Sequence, residues 1–508
     1  MNGSKTQFKL QELHTPSSFE GVVWALMGIE DARTIIHSAP GYYFNMHNNA
    51  LMNDWPMELY TSHLKFSSVM KGGEEQLANV IDAIKEMRPA ALFVVTSPVT
   101  ETSQDDAEGV CERIGYPNTR VVRPAIGESC NQGKEAAFQT LIDLMDGDAE
   151  KRPRSVNLIG PALCMFNWRA DVYELKRMLS EIGIQVNAVL SAGATFAEIQ
   201  NAPAAELNLC MYPFDYGVET AELMQERFGI PYMADIVPIG FDNSLRWLEQ
   251  IADHFDMDIK PYLARCVQNA THFIRSNLVF GTTFELSTAL SFENHNTYAL
   301  GIAEFFKKEV GIKVPLVSLS NPEAAERVAA SCDEVLISPT LDLKKEKFVE
   351  TGPNLIFGNF YDQKLASEEG FQNFVVADIP TAGYVGSEVG PFMGLMGAKH
   401  LVQTAVNNTV TKLLIDTKGD VAGEVSAGGG DWDVAAEQAL QQISLAVPQF
   451  VRTFAVKKVY EASQKIARER GTKVTVDIVR DAAESFTPGR FHAKFAAIFD
   501  AAELDSQQ

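Results

Sequence analysis

The chain has 508 residues, of which 46% are hydrophobic and 21% charged, a composition typical of a globular protein. Its formal net charge of −23 excludes a general nucleic-acid-binding surface, because phosphate contacts need clustered Lys and Arg. The longest apolar runs are too short to cross a bilayer, and residues 1–10 lack the apolar core of a signal peptide. We therefore predict a cytoplasmic protein of several domains, with no nucleic-acid partner and no integral membrane span.

Short apolar runs alternate with amphipathic helices over most of the chain. The predicted strands lie at 33–37, 90–95, 155–159, 185–190, 207–211, 314–319, 334–337, 355–357 and 374–379. Helices with one apolar face are predicted near 77–84 and 170–182. Such alternation favours parallel sheets covered by helices.

Two breaks in composition divide the chain. Residues 147–153 are polar and charged, and residues 416–431 form a glycine-rich linker that contains Gly428, Gly429 and Gly430. The predicted fold class is α/β, with three Rossmann-like parallel-sheet domains and a small helical C-terminal domain. The predicted bounds are 1–150, 151–290, 291–416 and 432–490.

Cysteines and glycine-rich loops limit the cofactors that this chain can hold alone. The six cysteines are scattered and form no C-x-x-C pair, which argues against a self-contained zinc or iron–sulfur site. The segment 127–135 (GESCNQGKE) is similar to a phosphate-binding loop. Its glycines are spaced one residue too far apart, and Glu135 stands where Ser or Thr would hold magnesium. We predict that the chain does not bind ATP.

One stretch near the middle of the chain carries a specific resemblance. Residues 153–161 (PRSVNLIGP), 165–168 (MFNW) and 171–178 (DVYELKRM) resemble the signature that opens the second domain of nitrogenase-like reductase core subunits. The resemblance extends over about 19–486, including a tail, 432–486, that is similar to a small domain of the tetrapyrrole-reducing branch. The stretches 280–283, 296–302 and 390–398 resemble the Z-type subunits of chlorophyllide a reductase more than the B-type subunits of dark-operative protochlorophyllide reductase.

The resemblance implies a nitrogenase component 1 fold and a specific reaction. The chain would be a subunit of an ATP-dependent, iron–sulfur chlorophyllide a reductase that reduces ring B (C7=C8) of a chlorin in bacteriochlorophyll biosynthesis. Its implied partners are a homologous Y/N-type core subunit, in an α2β2 heterotetramer, and a homodimeric iron protein that hydrolyses ATP–Mg. The alternatives are a B-type subunit acting on ring D, another nitrogenase-like reductase, and a non-enzymatic scaffold for cofactor assembly.

The implied cofactor is a [4Fe–4S] cluster at the subunit interface, but the family's ligand positions differ here. In the family, the loop that matches 35–41 (IIHSAPG) is followed by a ligating Cys or Asp, where this chain has Tyr42. The loop 95–101 (VTSPVTE) also lacks the cysteine that nitrogenase carries there. The resemblance therefore implies that the partner supplies most ligands.

Candidate residues of this chain follow from that comparison. Tyr42 is the predicted metal ligand, with packing in the loop as the alternative, and His37, His47 and Asp54 are further possible donors. Tyr42, Tyr43, Phe44 and Trp55 could form walls for a flat macrocycle.

Two histidines are candidate proton donors, because imidazole titrates near neutral pH. His400 aligns with a histidine proposed to protonate the substrate in the B-type family. His295 falls near an acid with a similar role there. The resemblance thus implies His400 and His295 as catalytic residues, and the tail as a cover for the substrate or the subunit interface.

Overall fold

The computed structural model describes residues 16–52, 59–65, 71–284, 286–379, 386–416, 432–446, 452–486 and 499. The chain divides into two compact units, one of Met1–His272 with Ser287–Leu401 and one of Phe273–Leu286 with Val402–Gln508. The first unit contains three separate parallel sheets.

The first sheet is built from strands β1 (Ala32–His37), β2 (Leu59–Thr61), β3 (Ala91–Thr96) and β4 (Thr119–Val122), in the order β2-β1-β3-β4. Its helices are α1 (Ser18–Met27), α2 (Pro40–Met52), α3 (Glu74–Lys85), α4 (Pro98–Ser103), α5 (Ala107–Ile114) and α6 (Cys130–Ile142). Leu77, Ile81 and Ile84 recur at helical spacing on α3 and are buried against the sheet. Helices α1 and α6 lie so close that a side chain on Gly21 would overlap the carbonyl of Cys130.

The second sheet has the same order as the first. Its strands are β5 (Ser155–Ile159), β6 (Gln185–Leu190), β7 (Leu207–Cys210) and β8 (Tyr232–Met233), in the order β6-β5-β7-β8. Its helices are α7 (Trp168–Glu181), α8 (Phe196–Gln200), α9 (Val218–Phe228), α10 (Phe241–His254) and α11 (Lys260–Phe284), with a 3-10 turn at Ala202–Ala204.

The third sheet contains five strands in the order β11-β10-β9-β12-β13. They are β9 (Thr288–Ser291), β10 (Leu316–Leu319), β11 (Glu334–Ile337), β12 (Leu355–Gly358) and β13 (Phe374–Val376). The helices are α12 (Asn296–Phe305), which continues as a π-helix at Phe306–Val310, α13 (Pro322–Val328), α14 (Leu341–Thr351), α15 (Phe360–Glu368) and α16 (Gly394–Asp416).

The second unit includes three C-terminal helices, α17 (Val434–Ala446), α18 (Arg452–Arg470) and α19 (Val476–Phe486). They pack on one another through small and β-branched side chains such as Ala439, Val459 and Val479. Trp432 stacks on Tyr460 with ring centroids 4.9 Å apart, and pairs with Val474 in a single β-bridge.

The predicted fold class is confirmed: three parallel α/β sheets are followed by C-terminal helices. Strand β9, the middle strand of the third sheet, was not predicted and begins at Thr288, a few residues before the expected start of the third domain. Its sequence, TALS, is too short and too polar to show a strand pattern. The exact domain bounds remain predictions.

Candidate functional site

The carboxyl ends of the strands carry most of the predicted site residues. In the first two sheets the first strand lies beside the third. The connections that follow these two adjacent strands therefore run to opposite faces of the sheet, and a crevice opens between them at the carboxyl ends of the strands. His37 ends β1, and Ser97 follows β3 at the same edge. This edge is the place where a ligand of the first sheet is expected.

His37 lies inside the fold at this edge. Its side chain has no solvent exposure, Nδ1 lies 2.9 Å from Ser62 Oγ, and Nε2 lies 3.1 Å from Asp105 Oδ2. The Ser38 N–H also donates to Ser62 Oγ. Burial lowers the pKa of His37 although Asp105 opposes the shift. Both ring nitrogens therefore face side chains of the protein.

Asp105 is itself held by several donors. Its carboxylate accepts the Gly73 N–H at 3.0 Å and the Ser103 hydroxyl at 2.8 Å. A side chain on Gly73 would lie 2.5 Å from Asp105 Oδ2 and 3.0 Å from the His37 ring. The backbone at Gly73 therefore packs directly against this pair.

Tyr42 lies in the first turn of α2 and is half-buried. Its ring meets Phe19 edge to face, with centroids 5.0 Å apart. Burial raises the pKa of Tyr42, and the nearby Glu20 raises it further. These contacts weigh against a phenolate ligand, and metal binding by Tyr42 stays a prediction. Tyr43 is also half-buried, while Phe44 is 65% exposed.

Asp54 and Trp55 lie outside the described residues, as does the side chain of His47. Within the described parts of the chain, no group of three or more His, Cys, Asp or Glu side chains is placed to hold a metal ion. Burial raises the thiol pKa to about 11 at Cys111, Cys130 and Cys332, so these sulfurs resist becoming thiolates. The thiols of Cys111, Cys130 and Cys332 are therefore poorly suited to ligate an iron–sulfur cluster.

Two side chains of the segment that is similar to a phosphate loop, Lys134 and Glu135, are buried in the core. Lys134 is fully buried, with its Nζ 4.6 Å from the centre of the Tyr216 ring. The Glu135 carboxylate accepts the Thr220 N–H at 2.7 Å and also the Gly217 N–H. Both side chains thus contact protein groups, and the absence of ATP binding remains a prediction.

His295 connects the second and third sheets. The Phe166 N–H donates to His295 Nε2 at 3.2 Å, so the ring proton lies on Nδ1 and donates to the Asp378 carboxylate. His295 and Asp378 have no solvent exposure. Because both nitrogens are occupied, the geometry favours a structural role, and catalysis by His295 stays a prediction.

His400 lies near the start of α16 in a different setting. Its ring stacks on Phe392 with centroids 6.2 Å apart and an interplanar angle of 21°. Gly390 lies directly beside it, because a side chain there would come within 2.8 Å of His400 Cε1. Burial lowers the pKa of His400.

Aromatic rings connect the two predicted catalytic histidines. His295 lies 5.7 Å from Tyr298, Tyr298 lies 5.3 Å from Phe392, and Phe392 contacts His400. The structure thus brings His295 and His400 into one packed group. His37 and Tyr42 belong instead to the edge of the first sheet, where they have separate packing partners.

Sequence reasoning missed a group of buried charges at the carboxyl edge of the third sheet. Lys344 Nζ lies 2.5 Å from Glu293 Oε2, 2.9 Å from Asp362 Oδ1 and 3.1 Å from Ser291 Oγ. Burial lowers the pKa of Lys344, but the two carboxylates outweigh it and raise the pKa overall. The only sequence signal was a lysine on the buried side of α14.

The comparisons with known proteins give the class to which this architecture belongs. Residues 17–410 match the model of the nitrogenase component 1 type oxidoreductases, and the chain belongs to that family. The solved chain "Nitrogenase Cp1 at pH 6.5" has the same fold, with a TM-score of 0.69 and 16% identity over 79% of this chain and 93% of that one.

Curated relatives match nearly the whole chain. It is 26% identical to the B subunit of light-independent protochlorophyllide reductase from Heliobacterium modesticaldum, over 94% of this chain and 98% of that protein. It is 25% identical to the corresponding protein of Zygnema circumcarinatum, over 92% and 97%. None of the helices among the described residues is long and apolar enough to span a membrane.

Proposed function

We propose that the chain is a core subunit of a nitrogenase-like reductase that acts on a tetrapyrrole. The observation that carries this proposal is the end-to-end match to reductase subunits, which extends past the family model into the C-terminal helices. The proposed complex pairs this chain with a homologous core subunit as a heterotetramer. A separate iron protein delivers electrons at the expense of ATP, and a [4Fe–4S] cluster is held mainly by the partner.

In this proposal His400 is the proton donor contributed by this chain. Reduction of a ring double bond adds a proton with each electron, and an imidazole is suited to supply it near neutral pH. His400 is half-buried beside the aromatic face of Phe392, a setting that limits water around a transferred proton. The His295 ring donates from Nδ1 to the Asp378 carboxylate and packs against Tyr298, within the aromatic group that includes Phe392.

Two substrates fit a reductase of this class. The stretches 280–283, 296–302 and 390–398 favour chlorophyllide a and reduction of ring B. The curated relatives are named as protochlorophyllide reductase subunits, which favours protochlorophyllide and reduction of ring D. The proposed primary substrate is chlorophyllide a, with protochlorophyllide as the alternative.

Absorbance spectroscopy separates the two. The chain is co-expressed with its homologous partner, purified, and supplied with the iron protein, ATP, dithionite and each pigment in turn. Loss of the chlorin band with formation of a bacteriochlorin band supports ring B reduction. Conversion of protochlorophyllide to a chlorin supports the alternative, and no reduction of either pigment contradicts the proposed function.

A further inference from the structure

The start of helix α16, which carries His400, is capped by side chains of another helix. The N–H groups of Phe392 and Met393 donate to Asp171 Oδ1, at 2.7 Å and 2.9 Å. The Met396 N–H donates to Glu174 Oε1 at 3.0 Å. Asp171 and Glu174 lie three positions apart on α7, so they face the same side of that helix.

The local sequence offers no cap of its own. A helix start leaves several backbone N–H groups without an intrahelical partner, and Ser, Thr, Asp or Asn usually supplies one. Here the sequence before α16 is GPFM, and the helix begins with Gly394 at a φ of +76°. A side chain on Gly394 would lie 2.4 Å from Glu174 Cγ and 2.7 Å from Met178 Sδ. The glycine therefore lets α7 approach closely enough for its carboxylates to act as caps.

Both carboxylates are firmly held. Asp171 has no solvent exposure, and its Oδ2 accepts the Tyr298 hydroxyl. Glu174 is 2% exposed and forms a two-point ion pair with Arg177, at 2.7 Å and 2.9 Å. A buried carboxylate whose oxygens are all engaged has little freedom to move.

The caps lead directly to the His400 ring. Phe392, whose N–H is held by Asp171, is the residue on which His400 stacks. The adjoining Gly390 carbonyl accepts the Asn167 side-chain amide at 2.8 Å, and Asn167 immediately precedes α7. The segment that packs against one side of the imidazole is therefore held in place by α7 and by Asn167.

We propose that Asp171 and Glu174 are positioning residues, which fix the segment 390–396 and thereby the orientation of the His400 imidazole. The effect on turnover rests on the proposed function of His400, whereas the effect on the segment itself does not. Neither carboxylate touches the reacting atoms in this proposal. Their contribution is to hold a proton donor in one orientation, since small displacements of a catalytic group cost large factors in rate.

The capping contacts do not require a charge on Asp171. Burial raises the pKa of Asp171 to about 7, against the opposing hydrogen bonds from Tyr298, Met393 and Phe392. The titratable groups that face it are Tyr298, Glu174 and Tyr212. A protonated Asp171 still accepts both N–H groups at Oδ1 while its hydroxyl turns toward Tyr298. Asn can make the same contacts, because its amide oxygen replaces Oδ1 and the Tyr298 hydroxyl can donate to the Phe166 carbonyl at 2.8 Å.

This equivalence gives one variant that keeps the contacts of Asp171 and one that removes them. Asp171→Asn keeps the acceptor, and Asp171→Leu replaces both carboxylate oxygens with methyl groups. Hydrogen–deuterium exchange of the full chain, followed by mass spectrometry, reports on the amides of 392–396. Loss of the hydrogen bonds to this buried acceptor should speed exchange of the Phe392 and Met393 amides about 10- to 100-fold in Asp171→Leu. Asp171→Asn should remain within about threefold of the unmodified protein.

Glu181→Gln is the matched control. Glu181 lies on the same helix and is exposed, and its carboxylate pairs with Arg177 and Tyr262 rather than with the segment 390–396. If Asp171→Leu fails to fold, Glu174→Ala removes the single cap on Met396 and should speed exchange at that amide alone. Unchanged exchange at 392–396 in either capping variant overturns the proposal, as does equal exchange in Asp171→Asn and Asp171→Leu.

Kinetics of the assembled complex complete the test. We expect Asp171→Leu to lower kcat with little change in KM, and Asp171→Asn to restore kcat with the pH profile of the unmodified enzyme. Faster exchange in Asp171→Leu with unchanged turnover would separate the two ideas: the caps would hold the segment, but His400 would not be the proton donor. Loss of turnover with unchanged exchange would contradict the positioning role itself.

Discussion

Two histidines in this chain occupy contrasting places, His37 at the edge of the first sheet and His400 at the start of α16. His37 has no solvent exposure and places its two nitrogens against Ser62 and Asp105. His400 is half-buried, lies against an aromatic ring, and is oriented by backbone that another helix holds. Burial lowers the pKa of both rings. A histidine can therefore stabilise a sheet edge, as His37 does, or serve as a candidate acid, as His400 does. The direction of the pKa shift does not distinguish these two roles.

The largest expected effect concerns the catalytic side of this comparison. His400→Gln in the assembled complex should lower kcat by about 10²- to 10⁴-fold, the usual contribution of general acid catalysis. The free energy of unfolding should change by less than about 1 kcal/mol, since the polar tip of a half-buried side chain is being altered. Pigment turnover and urea denaturation measure the two quantities. The surface variant His254→Gln provides the control.

The same prediction includes the direction in which turnover changes with pH. The acid must be protonated to donate, and burial lowers the pKa of His400 from its ordinary value. Turnover by the unmodified enzyme should therefore decline as pH rises through that lowered pKa, and the decline should be missing from the residual activity of His400→Gln. Unchanged turnover in this variant would make His400 a packing residue like His37.

The next effect concerns stability at the first sheet. Asp105→Ala removes the acceptor of two hydrogen bonds and leaves His37 Nε2 buried without its neighbour. We expect the free energy of unfolding to fall by about 3 kcal/mol, the scale of breaking a buried polar pair. Asp106→Ala removes only the exposed cap of α5 and should cost about 1 kcal/mol. Equal losses in the two variants, measured by urea denaturation, would contradict the role given to His37 and Asp105.

The same two regions show what sequence can and cannot predict. Ile35 and Ile36 of β1 and Val94 and Val95 of β3 lie in runs of apolar residues, and such runs were enough to locate these strands and the fold class. The His37–Asp105 contact could not be predicted, because it joins residues that are brought together only by the sheet order. The capping of α16 by Asp171 and Glu174 was hidden for a similar reason: helix starts are recognised by local residues, and here the acceptors come from α7.

A smaller effect is expected from crowding the His400 ring. Gly390 has a φ of +81°, and a methyl group there would meet His400 Cε1 at 2.8 Å. Gly390→Ala should displace the imidazole and lower kcat about tenfold, with a backbone strain of about 1 kcal/mol. Gly370→Ala is the matched control, because Gly370 has a φ of +82° but no atom within 4 Å of the added carbon. Similar kcat values for the two variants would show that the ring tolerates displacement.

The smallest expected effect is that of substituting Tyr42, the residue of the first-sheet region that was predicted to bind a metal. The Tyr42 ring packs on Phe19, and burial raises its pKa, so the neutral phenol is favoured. We therefore expect Tyr42→Phe to retain the iron content of the assembled complex and the electron paramagnetic resonance spectrum of its reduced cluster. The free energy of unfolding should change by less than about 1 kcal/mol, because the ring and its contact with Phe19 remain. Phe19→Leu, which alters the packing but keeps the phenol, is the control. Loss of iron or a changed spectrum in Tyr42→Phe, but not in Phe19→Leu, would establish the phenolate as a ligand.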